Sequence, residues 1–505
     1  MDKKLFCLFA GFSLLAFSLT LLVLYPLLAA GLVVSPDSVS YLNSAANLVR
    51  GYGVSIGCHP RNSPTAHWPP GYIFALAFPL ICGMEGIAAA QLINLFCYFL
   101  LLVGVGIFVL RVTGSGTLAL VSQLAVGLHP LILKNSGNML SEPLSWLFVL
   151  LIGIFLFGLV RNPGKRFALG LGIALGCAIM TRYAFVGFLP VIFLPLLLPA
   201  KKVSPARALG FTGTAGLAAG AIICPWILRN LMIRKSLLSA PGGGVGPEAL
   251  LPGMKISSMN WWHIIAGRGQ PPMPWAALIL LPLAALGILA FVRYRRFRGE
   301  RCSPAFPQQT DVVYLTGFLM ATGYITTLVL INAFIMPEIH LDSRKFSPLV
   351  IVFTIMLAAL AIKDGSRPAG KIIGSRYTIL YLIWAAWIVF QGVGGLAELR
   401  NRPLGYLDWG SSPAMAFARE RFQAREMLTT DWEPFWLWHK VCPKNLPRQS
   451  DEPVKVTRLK AKGIKVLIWF KRTHRDYLIQ PADITWDNGF RKMEFDDGFV
   501  YILSP

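Results

Sequence analysis

Asp37 and Glu142 each stand at the start of an apolar helical segment, in Ser35-Pro36-Asp37-Ser38 and in Ser141-Glu142-Pro143. A carboxylate facing a partly dry cavity can take a proton from an attacking hydroxyl, or ligate a divalent metal through oxygen. Both positions also have plain structural uses. Asp is a favoured helix N-cap, with Ser35 as the alternative cap of the same helix, and Glu142 suits the positive end of a helix dipole. Two carboxylates at membrane depth need a partner cation or a raised pKa. The candidate cations are Lys134, Arg182, Arg229, Arg344 and Lys345. Taken singly, such residues are commonly headgroup anchors. Together they suit a phosphate or pyrophosphate, because Arg binds phosphate as a bidentate fork and Lys as a point charge. His59, His67 and His340 could ligate a metal, but no HxH or HxxxH spacing exists, which favours structural or interfacial roles. If a divalent metal binds, Asp37 and Glu142 are its candidate ligands.

The elements that must hold these residues are membrane helices. The chain has 505 residues, 55% hydrophobic and only 14% charged, whereas a soluble globular chain is about 25% charged. Its 47 Lys+Arg against 24 Asp+Glu give a net charge of +23. In a soluble protein that excess would suggest nucleic acid, but here the basic residues bunch between long apolar runs and form no stripe, so no nucleic-acid partner is expected. Acids are scarce before residue 397: Asp2, Asp37, Glu85, Glu142, Glu248, Glu300, Asp311, Glu338, Asp342 and Asp364. The remaining fourteen of the 24 lie beyond it. The predicted division is therefore a membrane domain over 1–396 and a C-terminal domain of ordinary composition over 397–505.

Apolar runs of spanning length lie roughly at 5–30, 86–110, 117–133, 142–160, 167–181, 183–200, 208–228, 273–292, 311–336, 346–362 and 377–396, which makes about eleven transmembrane helices. The stretch 167–200 is read as two short spans meeting at Arg182, since a charge placed mid-membrane costs about 3 kcal/mol. Loops on the side of Lys3 and Lys4 are the more basic, so the N-terminus is placed inside and the C-terminal domain outside. Asp37, Glu85, Glu142, Glu248, Glu338 and Asp342 then share the outer face. A cleaved signal peptide is the alternative for the first span, but its apolar run is long for a signal core.

The first outer loop, 31–85, carries two predicted interfacial helices. One follows Ser35-Pro36-Asp37 and runs over 38–50, with Val39, Leu42, Ala45, Ala46 and Val49 at helical spacing, ended by Gly51 and Gly53. The other covers 72–82, too few residues to span, after His67-Trp68-Pro69-Pro70-Gly71-Tyr72. A second outer loop, 229–272, is rich in Gly and Pro and reads as mobile. The tail reads as a small α/β domain: a helix from Ser411-Ser412-Pro413 to about Met427, a strand over Ile464 to Phe470, and a hairpin over Met493 to Leu503 turning at Asp496-Asp497-Gly498. The eight cysteines show no metal spacing; Cys58 and Cys442 could pair or stand as free thiols. No internal repeat is visible.

This order of motifs resembles the C-type glycosyltransferases, a group that includes protein O-mannosyltransferases and the aminoarabinose transferases of lipid A and is similar to glycosyltransferase family 39. The resemblance rests on Asp37-Ser38-Val39-Ser40-Tyr41 followed by Gly51-Tyr52-Gly53, Pro69-Pro70-Gly71, Leu140-Ser141-Glu142-Pro143, Thr181-Arg182-Tyr183, Pro225-Trp226-Ile227-Leu228-Arg229-Asn230 and Asp342-Ser343-Arg344-Lys345. It implies a GT-C-like fold in a bacterial plasma membrane, and transfer of a sugar from a polyprenyl-phosphate donor to a lipid, glycan or protein hydroxyl at the outer face. Asp37 would match the catalytic acid residue, acting as general base with inversion at the anomeric carbon, and Glu142 the second acidic position. Lys134, Arg182, Arg229, Arg344 and Lys345 would contact the donor phosphate, and Tyr41, His67, Trp68 and Tyr72 the acceptor or the lipid groove. Two positions depart from the pattern: several branches carry Asp-Glu where this chain has Asp37-Ser38, and some carry Lys where it has Trp68.

Two other function classes remain open from the residues alone. A transporter or flippase would favour ionisable residues in mid-span, repeats and broken helices, whereas these acids cluster at span ends. A ligase or polymerase consuming pyrophosphate-linked oligosaccharide would use the same outer arginines.

Overall fold

The computed structural model describes residues 3–197, 203–234, 309–330, 343–361, 376–447, 449, 454–471, 475, 478–487 and 489–503. By contacts the chain forms two compact units, one from Met1–Gly31 with Ala66–Arg402 and one from Leu32–Thr65 with Pro403–Pro505. The expected span 273–292, His340, Asp342 and the loop from 235 to 272 lie outside the described residues.

Along the chain, helix α1 (Lys3–Leu19) passes through a π-helical turn at Thr20–Leu24 into α2 (Tyr25–Ala29). Then come α3 (Pro36–Val49), strands β1 (Ser55–Ile56) and β2 (Ser63–Pro64), α4 (Gly71–Ile81), α5 (Gly86–Thr113), α6 (Gly116–Gly127) and α7 (Pro130–Ser136). Next are α8 (Glu142–Arg161), α9 (Lys165–Thr181), a 3-10 helix (Tyr183–Leu197), α10 (Pro205–Arg234), α11 (Gln309–Leu330), α12 (Ser343–Phe346), α13 (Pro348–Ala361), α14 (Arg376–Gly394) and α15 (Leu396–Arg400).

In the first unit α5 and α8 are central, with α1, α6, α9 and α13 packed around them. Among the described residues five helices are long and apolar enough to cross a membrane, and α6 with α7, bent by 54°, can form a sixth. The protein is thus an integral membrane protein, with five or six of the expected spans at full length. Two of the apolar runs are broken. The run 117–133 divides at His129, whose backbone is extended before Pro130, because Pro has no N–H for the helix ladder. The run 167–200 divides at Arg182, also extended (φ −151°, ψ 123°), and the 3-10 helix beyond it contains Pro190 and Pro195.

Lipid offers no hydrophobic drive for helices to associate, so close approach through small residues holds them together. Gly172 and Gly176 of α9 lie against Ala215, Ala219 and Ile222 of α10, so tightly that a Cβ on Gly172 would collide with the Ala215 carbonyl. Helix α4 is too short to span, about 16 Å long. It buries Tyr72, Ile73 and Leu76 and exposes Phe74, Phe78 and Ile81, a division suited to an interfacial position.

The second unit continues with α16 (Pro413–Arg421), β3 (Met427–Thr429), α17 (Glu433–His439), β4 (Lys444–Asn445), β5 (Val454–Lys455), α18 (Val456–Ala461), β6 (Val466–Phe470), β7 (Ile484–Thr485), β8 (Phe490–Phe495) and β9 (Gly498–Leu503). Its sheet runs β4-β3-β6-β9-β8, with β3 parallel to β4 and β6, and β9 antiparallel to β6 and β8. Leu428, Val456, Leu467, Trp469, Ile479 and Tyr501 form its core. The expected strand and the hairpin turn at Asp496-Asp497 are present. The helix expected to reach Met427 stops at Arg421, because Met427–Thr429 is taken into the sheet between β4 and β6.

The first-loop segment joins this unit directly. Val34 N–H donates to Leu404 O at 3.0 Å and Tyr406 N–H to Val34 O at 2.9 Å. Gly405 sits at φ 66°, and a Cβ there would strike Val34 O, so both the backbone and the approach require glycine. Cys58 and Cys442 form a disulfide. Helix α3 is not the surface-lying helix its apolar spacing suggests, since Ser38 to Ala45 are all buried. Two of its buried amides are satisfied internally: Asn43 Oδ1 accepts from Gly57 N–H at 2.8 Å, and Asn47 Nδ2 donates to the Ser55 and Gly57 carbonyls.

Candidate active site

Glu142 opens α8 and is 1% exposed. Its position in the first turn favours a negative charge, but full burial demands partners as well. Arg182 Nη1 lies 2.5 Å from Glu142 Oε1, and Arg344 Nε lies 3.4 Å from the same oxygen. The break between α9 and the 3-10 helix is what delivers Arg182, and α12 delivers Arg344. Two guanidinium groups converge on one carboxylate. Among the described residues no three His, Cys, Asp or Glu side chains converge as a metal set.

Three further segments of the first unit meet this end of the bundle. Tyr183, next to Arg182, donates its hydroxyl to Ala66 O at 3.1 Å and accepts from Trp226 Nε1 at 2.8 Å. Arg229 lies over the Trp226 ring at 4.4 Å and donates to Asn230 Oδ1 at 3.0 Å. Gly71 packs on the Thr181 turn so closely that a Cβ would sit 2.7 Å from Met180 O. Of the residues predicted to contact phosphate, Arg182 and Arg344 are therefore brought to Glu142, and Arg229 to the adjoining tyrosine. The Lys134 side chain is exposed and makes no ion pair among the described residues. The Lys345 carbonyl accepts from the Tyr324 hydroxyl at 2.8 Å. His67 stacks edge-on against Trp68, both half-buried, whereas Tyr72 is fully buried.

Asp37 and Tyr41 belong to the second unit. Ser35 is the N-cap of α3, and it forms a capping box with Ser38, each side chain accepting from the other's backbone N–H at 3.4 and 3.0 Å. Asp37 is thus in the first turn but is not the cap, and its carboxylate remains half-exposed. Tyr41 is buried.

A second buried polar group in this unit was not anticipated. Tyr406 donates to Asp431 Oδ1 at 2.5 Å, and Arg475 Nη2 reaches Asp431 Oδ1 and Glu433 Oε1, each at 2.9 Å. Two carboxylates share one guanidinium, and Glu433 Oε2 is buried without a hydrogen-bond partner among the described residues. Burial pushes the Glu433 carboxyl up to about 7, with Asp431 adding to the rise and Arg475 opposing it. An acid whose folded pKa is raised contributes stability that is complete below its ordinary value of 4.5 and is lost as pH climbs to about 7. Glu433→Gln removes the titrating proton while keeping an acceptor for Arg475. The pH-dependent fall in melting temperature between those values is expected to be smaller in this variant than in the wild type, as differential scanning fluorimetry will show.

No protein-family model matches the chain, and no curated protein sequence matches it. Among solved structures, ArnT from Cupriavidus metallidurans in the apo state matches with a TM-score of 0.50 at 15% identity, covering 97% of this chain and 98% of that chain. The oligosaccharyltransferase of Archaeoglobus fulgidus matches at 0.47 and 11% identity, over 93% of this chain and 69% of that one. The arabinofuranosyltransferase AftD from Mycobacteria matches at 0.47 and 15%, over 100% and 42%. These neighbours are C-type glycosyltransferases, and at such identities the likeness is one of fold: the chain has the architecture of ArnT along nearly its whole length.

Proposed function

We propose that the protein is a glycosyltransferase that moves a sugar from a polyprenyl-phosphate donor to a hydroxyl acceptor at the outer face of the membrane. The observation that carries this reading is the Glu142 cluster: a buried carboxylate on which the guanidinium groups of Arg182 and Arg344 converge, at the end of an apolar bundle. A polyprenyl phosphate has the matching chemistry, an anionic head on a long apolar tail. ArnT from Cupriavidus metallidurans has been crystallised with undecaprenyl phosphate bound. The Cys58–Cys442 disulfide supports an oxidising compartment for the second unit, and hence a cytoplasmic N-terminus.

In this reading Asp37 takes the proton of the acceptor hydroxyl as its oxygen attacks the anomeric carbon. The bond from that carbon to the phosphate oxygen breaks on the opposite side, so the configuration inverts and polyprenyl phosphate leaves. Arg182 and Arg344, with Arg229, Lys134 and Lys345 as outer contacts, stabilise the charge that develops on the leaving phosphate. Glu142 holds the two arginines in place. His67 and Trp68 face the acceptor or the lipid, and Tyr41 and Tyr72 supply buried support.

The test supplies the purified full-length protein with radiolabelled polyprenyl-monophosphate and polyprenyl-pyrophosphate sugars separately, with lipid, glycan and peptide acceptors. Covalent transfer from the monophosphate donor with release of polyprenyl phosphate is the expected result. Transfer from the pyrophosphate donor alone would instead indicate a ligase or polymerase. Movement of the donor across vesicles with no covalent product would indicate a flippase.

A further inference from the structure

The chain reaches Glu142 through a turn that follows α7, and side chains from α5 and from the segment just past α15 hold that turn. A helix leaves its last four carbonyls without partners of its own. Here Asn94 of α5 donates Nδ2 to Ser136 O at 2.7 Å and to Asn138 O at 2.9 Å. Arg402, just past α15, donates Nη2 to Gly137 O at 2.6 Å and Nη1 to Lys134 O at 3.2 Å. Four carbonyls over five residues are thus satisfied by two side chains, one of them a cation favoured at a helix C-terminus.

Gly137 shows that this place is made for the guanidinium. Its φ of −84° is open to any residue, so glycine is not there for backbone freedom. A Cβ at Gly137 would collide with Arg402 Nη2, and the next nearest atoms are Arg402 Cζ and Nη1. The three atoms nearest to the absent side chain all belong to Arg402.

We propose that Arg402 is a positioning residue: it fixes the turn from Lys134 to Asn138 and thereby sets where Glu142 holds Arg182 and Arg344. This rests on reading that cluster as the donor-phosphate grip. Arg402 acts only through backbone carbonyls, so its loss moves the grip without removing any of its charges.

Arg402→Ala, Arg402→Lys, Gly137→Ala and the double variant Gly137→Ala/Arg402→Ala test this in the full-length protein. Gly137→Ala is informative because the flexible arginine yields before the backbone does, so it expels the guanidinium while leaving Arg402 in the sequence. Two readouts are needed: amide hydrogen exchange over residues 137–142, and affinity for undecaprenyl phosphate. Arg402→Ala and Gly137→Ala are each expected to speed exchange in that segment and to weaken binding about tenfold, the scale of a loosened supporting shell. The double variant is expected to be no worse than either single one, and Arg402→Lys, which can still reach one carbonyl, to be intermediate. Unchanged exchange in the Ala variants overturns the proposal. So does faster exchange with unaltered affinity, which would make Arg402 a structural clamp only. If the wild type itself does not bind undecaprenyl phosphate, the donor reading fails, and exchange alone decides whether Arg402 holds the turn. If Arg402→Ala does not fold, Gly137→Ala and Arg402→Lys carry the test.

Discussion

Asp37→Asn is expected to leave the protein folded and membrane-inserted while reducing sugar transfer by about a hundred- to ten-thousand-fold, the usual contribution of a positioned general base. The amide has nearly the shape of the carboxylate but cannot accept the proton. The structure removes helix capping as a confounding role. Had Asp37 been the N-cap of α3, its loss would have cost stability as well as chemistry, but Ser35 and Ser38 form the capping box. Ser35→Ala is therefore the matched control: it should lower stability by about 1 kcal/mol and leave transfer near the wild-type rate. Wild-type transfer by Asp37→Asn would remove Asp37 from the mechanism.

Glu142→Ala is expected to have the largest effect on stability. It leaves Arg182 and Arg344, 15% and 24% exposed, facing one another without the carboxylate between them. Breaking a buried ion pair from one side costs about 3–5 kcal/mol, because the stranded charge has lost its water and its partner alike. Glu142→Gln keeps an acceptor oxygen for Arg182 and should cost less. It also removes one negative charge from the cluster. Thermal melting in detergent with and without added polyprenyl phosphate separates these terms. A small loss in Glu142→Ala would show that the arginines have other partners sufficient to hold them, and would weaken the case for Glu142 as their support.

What was legible from the amino-acid order was local. The break at Arg182, the helix after Ser35-Pro36 and the hairpin at Asp496-Asp497-Gly498 each announce themselves within a few residues, through a charge in an apolar run, a cap or a turn. Glu142 and its arginines could be nominated because charges inside a membrane domain are costly and therefore few. Arg402 could not be nominated. Its partner Gly137 lies 265 residues away, and an arginine just after a span is more often a headgroup anchor. The choice between Asp37 and Ser35 as cap was equally closed, since both residue types cap well and only the geometry separates them. The Tyr406–Asp431–Glu433–Arg475 group lies in a tail whose acids are numerous enough that none stands out. The burial of α3 escaped notice because its spacing is that of a surface helix, and Asn43 and Asn47 gave no sign that a neighbouring strand would satisfy them.

The second unit is built from two stretches, Leu32–Thr65 and Pro403–Pro505, and this bears on how the protein is made. The ribosome delivers the first stretch before the second, with Ala66–Arg402 synthesised between them. At ~5–20 residues per second that is an interval of roughly 20–70 seconds. During this time Val34 has no Leu404 to bond, Cys58 has no Cys442, and α3 has no α17 to rest on. A thiol and an incompletely buried helix must be carried through that interval, so the nascent chain is open to exchange with other disulfides and to holding factors. A tail expressed alone would lack the same surface, which makes the fused pair Leu32–Thr65 and Pro403–Pro505 the smallest piece to attempt in isolation.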